Sequence, residues 1–301
     1  MSSQSVTATI AQLSPRRRGR RRLGGKLVAG LSITGAIVAF GLIAPPFVGD
    51  PFLIRPIGIT PPSGEFWLGT TQKGQDIFAQ LAVSTTNSLL IGVSVGILSL
   101  VLAAFFGIVG AYLGRWLDEG FSLITNIALV IPGLPLIIVI SSYVEDRGLA
   151  VVALILAFTS WAGGARVLRA VTLSLRSRDY VSAARVAGEK SWRIIAVEIL
   201  PNLLPILASS FVFGVVSAIL AEAGLSYLGL GVSSDYTWGR MLYEAQMGSA
   251  LRSGAWWWFV PPGLLIALLG AALSLINFAL DEIVNPKLRA PRRVRPVKAT
   301  A

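Results

Sequence analysis

Six long apolar runs, separated by short polar segments, dominate the pattern of hydrophobic and polar positions along this chain. A helix that crosses the ~30 Å hydrocarbon core of a bilayer needs about 20 apolar residues, and each run comes near or above that length. Too little polar sequence remains to cover six such helices in a soluble protein. We therefore predict an all-α, polytopic membrane protein with six transmembrane helices: Leu27–Val48, Ser88–Leu113, Phe121–Val144 (interrupted by Pro132 and Pro135), Leu149–Ala165, Leu203–Leu230 and Trp256–Leu280.

The positions of the basic residues set the predicted orientation. The net charge of +11 would suit a nucleic-acid binder, but the basic residues flank apolar runs, so we expect lipid and no nucleic acid as the partner. Lys and Arg accumulate in cytoplasmic segments of membrane proteins. Both termini are therefore predicted to be cytoplasmic, because only five of the 26 Lys and Arg residues fall in segments on the opposite side: Arg55, Lys73, Arg147, Arg240 and Arg252.

These expectations divide the chain into five parts. A basic cytoplasmic tail (1–26) precedes the first span (27–48), and an extracytoplasmic segment (49–87) follows it. A five-helix core (88–280) contains a long cytoplasmic loop (166–202), and a second basic cytoplasmic tail (281–301) ends the chain.

The residue inventory argues against an enzyme. The chain has no cysteine and no histidine, so thiol nucleophiles, the commonest general base and the commonest metal ligand are all missing. A phosphate-binding Walker A loop needs Gly-x-x-x-x-Gly-Lys-Ser/Thr, but leucine follows Gly25-Lys26. We expect no catalytic residue, no bound metal and no cofactor in this chain.

The cytoplasmic loop 166–202 carries the strongest functional pattern, because long connections in compact proteins are usually functional. Tyr180, Ala183, Ala184 and Ala187 share one helical face, and Gly188 can end that helix. Ser191 is predicted to cap a second short helix through Trp192, Ile194 and Ile195, which makes a helix–Gly–helix elbow before Leu200-Pro201. A face of small side chains permits close approach by another protein, although an interfacial helix or a plain connector remains an alternative.

This loop resembles the "EAA" loop of binding-protein-dependent ABC importer permeases. The resemblance rests on Ala183-Ala184, on Gly188 and on Ile199-Leu200-Pro201 at the spacing of that loop, with Ser182 where the family usually has an acidic residue. It implies that the loop contacts a separate ATPase subunit that binds ATP and Mg²⁺. The residues expected in this contact are Ser182, Ala183, Ala184, Ala187, Gly188, Trp192, Leu200 and Pro201.

Further motifs resemble the second permease subunit of the dipeptide/oligopeptide group. Leu68-Gly69-Thr70 with Gly74-Gln75-Asp76 looks like an extracytoplasmic stretch of that group, with Thr71 and Gln75 replacing its usual Asp and Arg. The outer end of the fifth span and the segment after it resemble another signature, as do Pro262-Gly263 at the start of span six and the chain from Asn277 and Asp281 through Asn285-Pro286-Lys287-Leu288-Arg289. The outer motif consists of Glu222, Leu225, Ser226, Gly229, Gly231, Trp238 and Gly239.

The resemblance implies a type I ABC importer permease (MetI-like) fold with both termini inside, in a bacterial cytoplasmic membrane. The implied partners are a paralogous permease, two ATPase subunits and an extracytoplasmic substrate-binding protein. Peptides are the implied substrates; oligosaccharides, nickel and opines are the alternatives. An ion-coupled secondary transporter and an intramembrane enzyme are more distant alternatives, because the spans carry almost no buried charge.

Glu222 is the acidic residue deepest in an apolar stretch, near the outer end of span five. Its carboxylate could reach headgroup water, or it could face the bundle and pair with a basic or amide group, which could belong to the partner permease, to hold an outer gate. The sequence leaves both readings open.

Overall fold

A computed structural model describes residues 24–284, and the side chains of 24–282. The predicted basic tails therefore lie almost wholly outside the described residues, as does the motif from Asn285 to Arg289. The helices of the described part are α1 (Gly25–Ile43), α2 (Ile77–Leu113), α3 (Arg115–Val130), α4 (Gly133–Ser142), α5 (Leu149–Arg176), α6 (Asp179–Val186), α7 (Ser191–Tyr227), α8 (Trp238–Met247) and α9 (Trp256–Val284).

Five of these helices, α1, α2, α5, α7 and α9, are long and apolar enough to cross a membrane. The predicted third span is instead two helices, α3 and α4, which meet at an angle of 82° and together supply the sixth candidate span. The break falls at Ile131-Pro132, where both residues have extended backbones. A residue before proline avoids the helical region, so the sequence itself interrupts the span.

Several helices, among them α2 and α5, extend beyond their predicted spans. α2 begins at Ile77, eleven residues before the predicted Ser88, and Asp76 caps it by accepting hydrogen bonds from the backbone N–H groups of Phe78 (2.9 Å) and Ala79 (3.5 Å). α5 continues through Arg166 to Arg176, so the first part of loop 166–202 is helical. A bidentate ion pair between Arg169 and Asp118 of α3 (2.7 and 2.9 Å) supports this extension.

Glycines let the central helices approach closely. A side chain at Gly107 of α2 would place its Cβ 2.5 Å from the Ala165 carbonyl oxygen of α5, and one at Gly30 of α1 would lie 2.7 Å from the Ala272 carbonyl oxygen of α9. Such small residues are typical of helix contacts within membranes. α2 packs on α5 and α7, while α9 packs on α1 and α7.

Candidate functional site

The elbow after α5 ends in the geometry that its glycine predicts. Gly188 has a φ of +79°, and its N–H donates to the Arg185 carbonyl at 3.1 Å. The next N–H, that of Glu189, donates to the Ala184 carbonyl at 3.1 Å. These two bonds form a Schellman motif that closes α6. The predicted helix end at Gly188 is confirmed.

The two faces of α6 have different neighbours. Val181 is buried and Ala184 is half-buried against the apolar cluster that includes Leu168 and Ile194. Ser182, Ala183, Ala187 and Gly188 are exposed, together with Val186 (90% exposed) and, after the turn, Trp192 (66%). Ala184 therefore anchors α6 to its own chain, and the face open to another protein is centred on Val186, which the sequence pattern did not single out.

The predicted second short helix is wrong in two respects. Ser191 is the first helical residue, the capping position belongs to Lys190, and neither makes a capping side-chain bond. The helix also continues through Leu200 and Pro201, which lie within α7. A π-turn at Ile195–Ile199, in which the Leu200 N–H donates to the Ile195 carbonyl, precedes Pro201 and accommodates its missing N–H.

Side-chain contacts attach the elbow to neighbouring helices. The guanidinium of Arg185 lies over the Tyr112 ring at the end of α2, with 5.7 Å from Cζ to the ring centroid. Arg176, at the end of α5, donates from Nη1 to the Ala111 carbonyl at 3.0 Å. The elbow is thus held against the end of α2, which is itself bonded to the end of α5, and it leads directly into α7.

At the outer end of α7, Glu222 is almost fully buried, with 1% of its surface exposed. The hydroxyls of Ser226 and Thr237 both donate to its Oε1, at 2.6 and 2.7 Å. The Thr237 hydroxyl also accepts a bond of 3.2 Å from the Arg240 N–H, so it caps α8 at the same time. We call Glu222, Ser226 and Thr237 the outer clasp.

The outer clasp decides between the two readings of Glu222. The headgroup-water reading is wrong, because the carboxylate is buried in the bundle. Its partners in the described chain are hydroxyls rather than the basic or amide group expected. Thr237 had no signal in the sequence, since it lies fifteen residues away in a loop.

The remaining residues of the outer motif pack around the clasp. Leu225, Trp238 and Gly231 are buried, and a Cβ on Gly231 would overlap the Ser226 hydroxyl. Gly239 lies against Ala223, where a Cβ would be 2.6 Å from Cα. Gly229 has a φ of +77° beside the Tyr243 ring. The structure therefore brings the whole predicted motif together.

A polar stripe on α2, absent from the predicted site, holds the loop before α8. Asn87 Nδ2 donates to the Tyr236 carbonyl at 2.8 Å. The Trp238 backbone N–H donates to Ser88 Oγ at 2.9 Å, and its indole Nε1 donates to Thr85 Oγ1 at 3.1 Å. These polar residues lowered the apparent hydrophobicity of the chain before Ser88, which explains the misplaced start of α2.

The two substituted positions, Thr71 and Gln75, form a buried neutral network. Gln75 Oε1 accepts from the Thr71 hydroxyl (3.4 Å), from Gln80 Nε2 (3.3 Å) and from the Tyr236 hydroxyl (3.4 Å). Burial is the main cause that raises the pKa of Tyr236, so this hydroxyl stays protonated and can donate. Uncharged, hydrogen-bonded side chains thus occupy the two positions at which the dipeptide/oligopeptide permease group usually has Asp and Arg.

Comparison with known proteins assigns the fold to a family. Residues 99–290 match the family described as the binding-protein-dependent transport system inner membrane component. The chain belongs to this family. It is a transmembrane permease of the ABC importer type, as its loop and outer motifs predicted, and its several membrane-length helices fit a multi-pass protein.

Named relatives cover most of the permease. It is 33% identical over 237 residues to the oligopeptide transport system permease protein OppC of Mycobacterium tuberculosis, which covers 78% of this chain and 80% of the relative. It is 32% identical over 232 residues to the dipeptide transport system permease protein DppC of Bacillus subtilis, covering 76% and 71%. The resemblance to the dipeptide/oligopeptide permease group is confirmed.

A solved structure supports the fold. The permease matches a chain of the MetNI methionine ABC transporter, in an inward-facing conformation, with a TM-score of 0.54 and 20% identity over 70% of this chain and 97% of that one. At this identity the likeness concerns the fold alone, and it confirms the predicted type I importer architecture.

Proposed function

We propose that this permease is one of two paralogous membrane subunits of an importer that carries peptides across the bacterial cytoplasmic membrane. An extracytoplasmic binding protein delivers the substrate, and two separate ATPase subunits supply the energy. ATP and Mg²⁺ bind to those ATPases, and this chain holds no cofactor of its own.

One observation carries the proposal: α7 joins the elbow to the outer clasp without interruption. This helix of 37 residues has exposed Trp192 near one end and buried Glu222 and Ser226 near the other. At ~1.5 Å per residue it is about 55 Å long. A partner that moves the elbow therefore displaces the element that also forms the outer clasp.

The exposed side of the elbow, formed by α6 and the first residues of α7, is suited to that partner. Val186 and Trp192 expose large apolar side chains, whereas Val181 and Ala184 hold the helix against its own bundle. Closure of the ATPases on ATP would shift the elbow and open the bundle outward, and nucleotide release would reverse this. Such a change requires contacts that differ between the two states, and the elbow supplies a surface for them.

The names of the relatives support peptides as the substrates, since they are called oligopeptide and dipeptide permeases. Oligosaccharides, nickel and opines are the alternatives, because a binding protein does much of the selecting in such systems. An ion-coupled transporter would need no ATPase, so a measurement of uptake with and without ATP distinguishes it from an ATP-driven importer.

Reconstitution tests the proposal. The permease is purified with the subunits that accompany it, placed in proteoliposomes containing ATP, and given its binding protein with a labelled peptide outside. We expect uptake that requires both ATP and the binding protein. Uptake driven by an ion gradient without ATP would contradict the transporter class, and uptake of a sugar or metal ion in place of peptides would contradict the substrate.

A further inference from the structure

A small polar cavity opens beside the outer clasp, between the loop before α5, the loop after α7 and α8. Its volume is about 180 Å³, and the residues that line it include Arg147, Ser226, Ser233, Arg240 and Glu244. Ser226 belongs to both the cavity wall and the clasp, because its hydroxyl donates to Glu222. The cavity and the clasp therefore share one residue.

The backbone at Arg147 is held in place by the loop after α7. Its N–H donates to Ser233 Oγ at 3.3 Å, and its carbonyl accepts from the Ser233 N–H at 3.0 Å. One guanidinium nitrogen, Nη1, donates to the Ser141 carbonyl at 3.3 Å. Its Nε is buried and has no hydrogen-bond partner among residues 24–282. A buried donor left without a partner is unfavourable and calls for an explanation.

The other charges around the cavity are already matched. Arg240 donates from Nε to Glu244 Oε1 at 3.1 Å and from Nη1 to the Ser233 and Asp235 carbonyls at 2.7 and 3.1 Å. Glu145 and Asp146 precede Arg147 in the chain but are exposed and are not among the lining residues. Arg147 thus gives the lining one positive charge that no carboxylate of the described chain balances.

From this geometry we propose that the cavity binds a carboxylate group, with Arg147 as its charged ligand and the Ser233 hydroxyl beside it. Arg147 lines the cavity and has no carboxylate partner among residues 24–282, and a guanidinium recognises a carboxylate through charge-assisted hydrogen bonds. A cavity of about 180 Å³ has room for the carboxylate and the carbons next to it. The inference rests on the proposed function, which brings two carboxylate sources to this face: the C-terminus of an incoming peptide and an acidic side chain of the binding protein.

The test uses the complete importer in proteoliposomes with Arg147→Gln, which removes the charge but keeps a polar side chain. Arg252→Gln is the matched control, because Arg252 is an exposed arginine on the same side that does not line the cavity. Initial uptake is measured for one peptide as its free acid and as its C-terminal amide, each per binding protein loaded. We expect Arg147→Gln to lower uptake of the free acid about tenfold and Arg252→Gln to leave it near wild type.

The two peptides identify the source of the carboxylate. If the peptide supplies it, the wild type prefers the free acid and Arg147→Gln loses that preference. If the binding protein supplies it, Arg147→Gln lowers uptake of both forms equally, and a higher concentration of binding protein restores the rate. Either result supports a carboxylate site.

Uptake by Arg147→Gln that equals the Arg252→Gln control for both peptides would overturn the inference. If Arg147→Gln does not assemble, uptake is measured with Arg147→Lys instead, because lysine keeps the positive charge but lacks the planar guanidinium with its fixed N–H donors. A reduced rate in Arg147→Lys supports the site, and an unchanged rate overturns it. Wild-type importer that carries no peptide at all would instead refute the proposed function.

Discussion

Thr237 donates a 2.7 Å hydrogen bond to Glu222 across fifteen residues of sequence, and this bond joins the end of α7 to the start of α8. Because the same hydroxyl also caps α8, the orientation of that helix depends on the carboxylate. The outer clasp is therefore a mechanical link between two helices.

Replacing Glu222 tests the clasp. Glu222→Leu leaves the Ser226 and Thr237 hydroxyls without their acceptor, and we expect it to lower stability by roughly 1–3 kcal/mol. Glu222→Gln keeps a carbonyl oxygen for both hydroxyls, so it should assemble normally while lowering transport. Thermal melting of the purified complex, with uptake measured in parallel, checks both; a Glu222→Leu variant that melts and transports like wild type would contradict the clasp.

Gly188 offers a test of backbone conformation alone, because among residues 24–282 no atom other than those of its two chain neighbours lies within 4 Å of a Cβ built there. Gly188→Val should strain the elbow by about 1–2 kcal/mol, since a side chain disfavours the left-handed region. Gly188→Asn should be milder, because asparagine tolerates that region. ATPase copurification is the measurement, and equal retention of the ATPase in both variants would argue against a required turn.

The same charge has different expected outcomes at two exposed positions of α6. Ala187→Asp places a carboxylate on the exposed face, and we expect transport to fall about tenfold or more, because an unpaired charge is unfavourable in an interface. Ser182→Asp is the control: it adds the same charge to the same helix, at a position where the resemblance implies an acidic residue. Comparable loss of uptake in both variants would mean that charge on the helix, rather than the position, matters. Ala184→Asp is a poorer test, because its half-buried side chain also supports the bundle.

Thr71 and Gln75 allow a double-mutant cycle. Thr71→Asp and Gln75→Arg each bury one unpaired charge, and each should lower stability by about 3–5 kcal/mol. The double variant restores an ion pair, so part of that loss should return. Membrane yield and melting temperature report the result; a double variant as unstable as the sum of the two singles would show that the positions do not interact.

Local signals predicted much of this fold. Pro132 predicted an interruption of the third span, and Gly188 predicted the end of α6, because each acts through its own backbone. The 82° bend itself could not be predicted, since it depends on how α3 and α4 pack against α5.

Two predictions were wrong because they depend on contacts between segments that are far apart in the sequence. The start of α2 was placed too late because polar residues before Ser88, such as Thr85 and Asn87, look unfavourable for a span, and only the fold shows that they bond with Trp238 and Tyr236. The hydrogen-bond partners of Glu222 could not be predicted either, because one of them, Thr237, lies fifteen residues away in the sequence and comes near only in the folded chain.

Cross-linking from Val186 tests the central claim, that the exposed face of the elbow docks an ATPase subunit. The chain has no native cysteine, so Val186→Cys can carry a thiol-linked photo-cross-linker without background. Ser234→Cys, exposed in the loop before α8, is the control on the opposite side. We predict an ATP-sensitive cross-link between Val186→Cys and the ATPase and none from Ser234→Cys; a Val186→Cys variant that transports normally yet never cross-links to an ATPase would contradict the account.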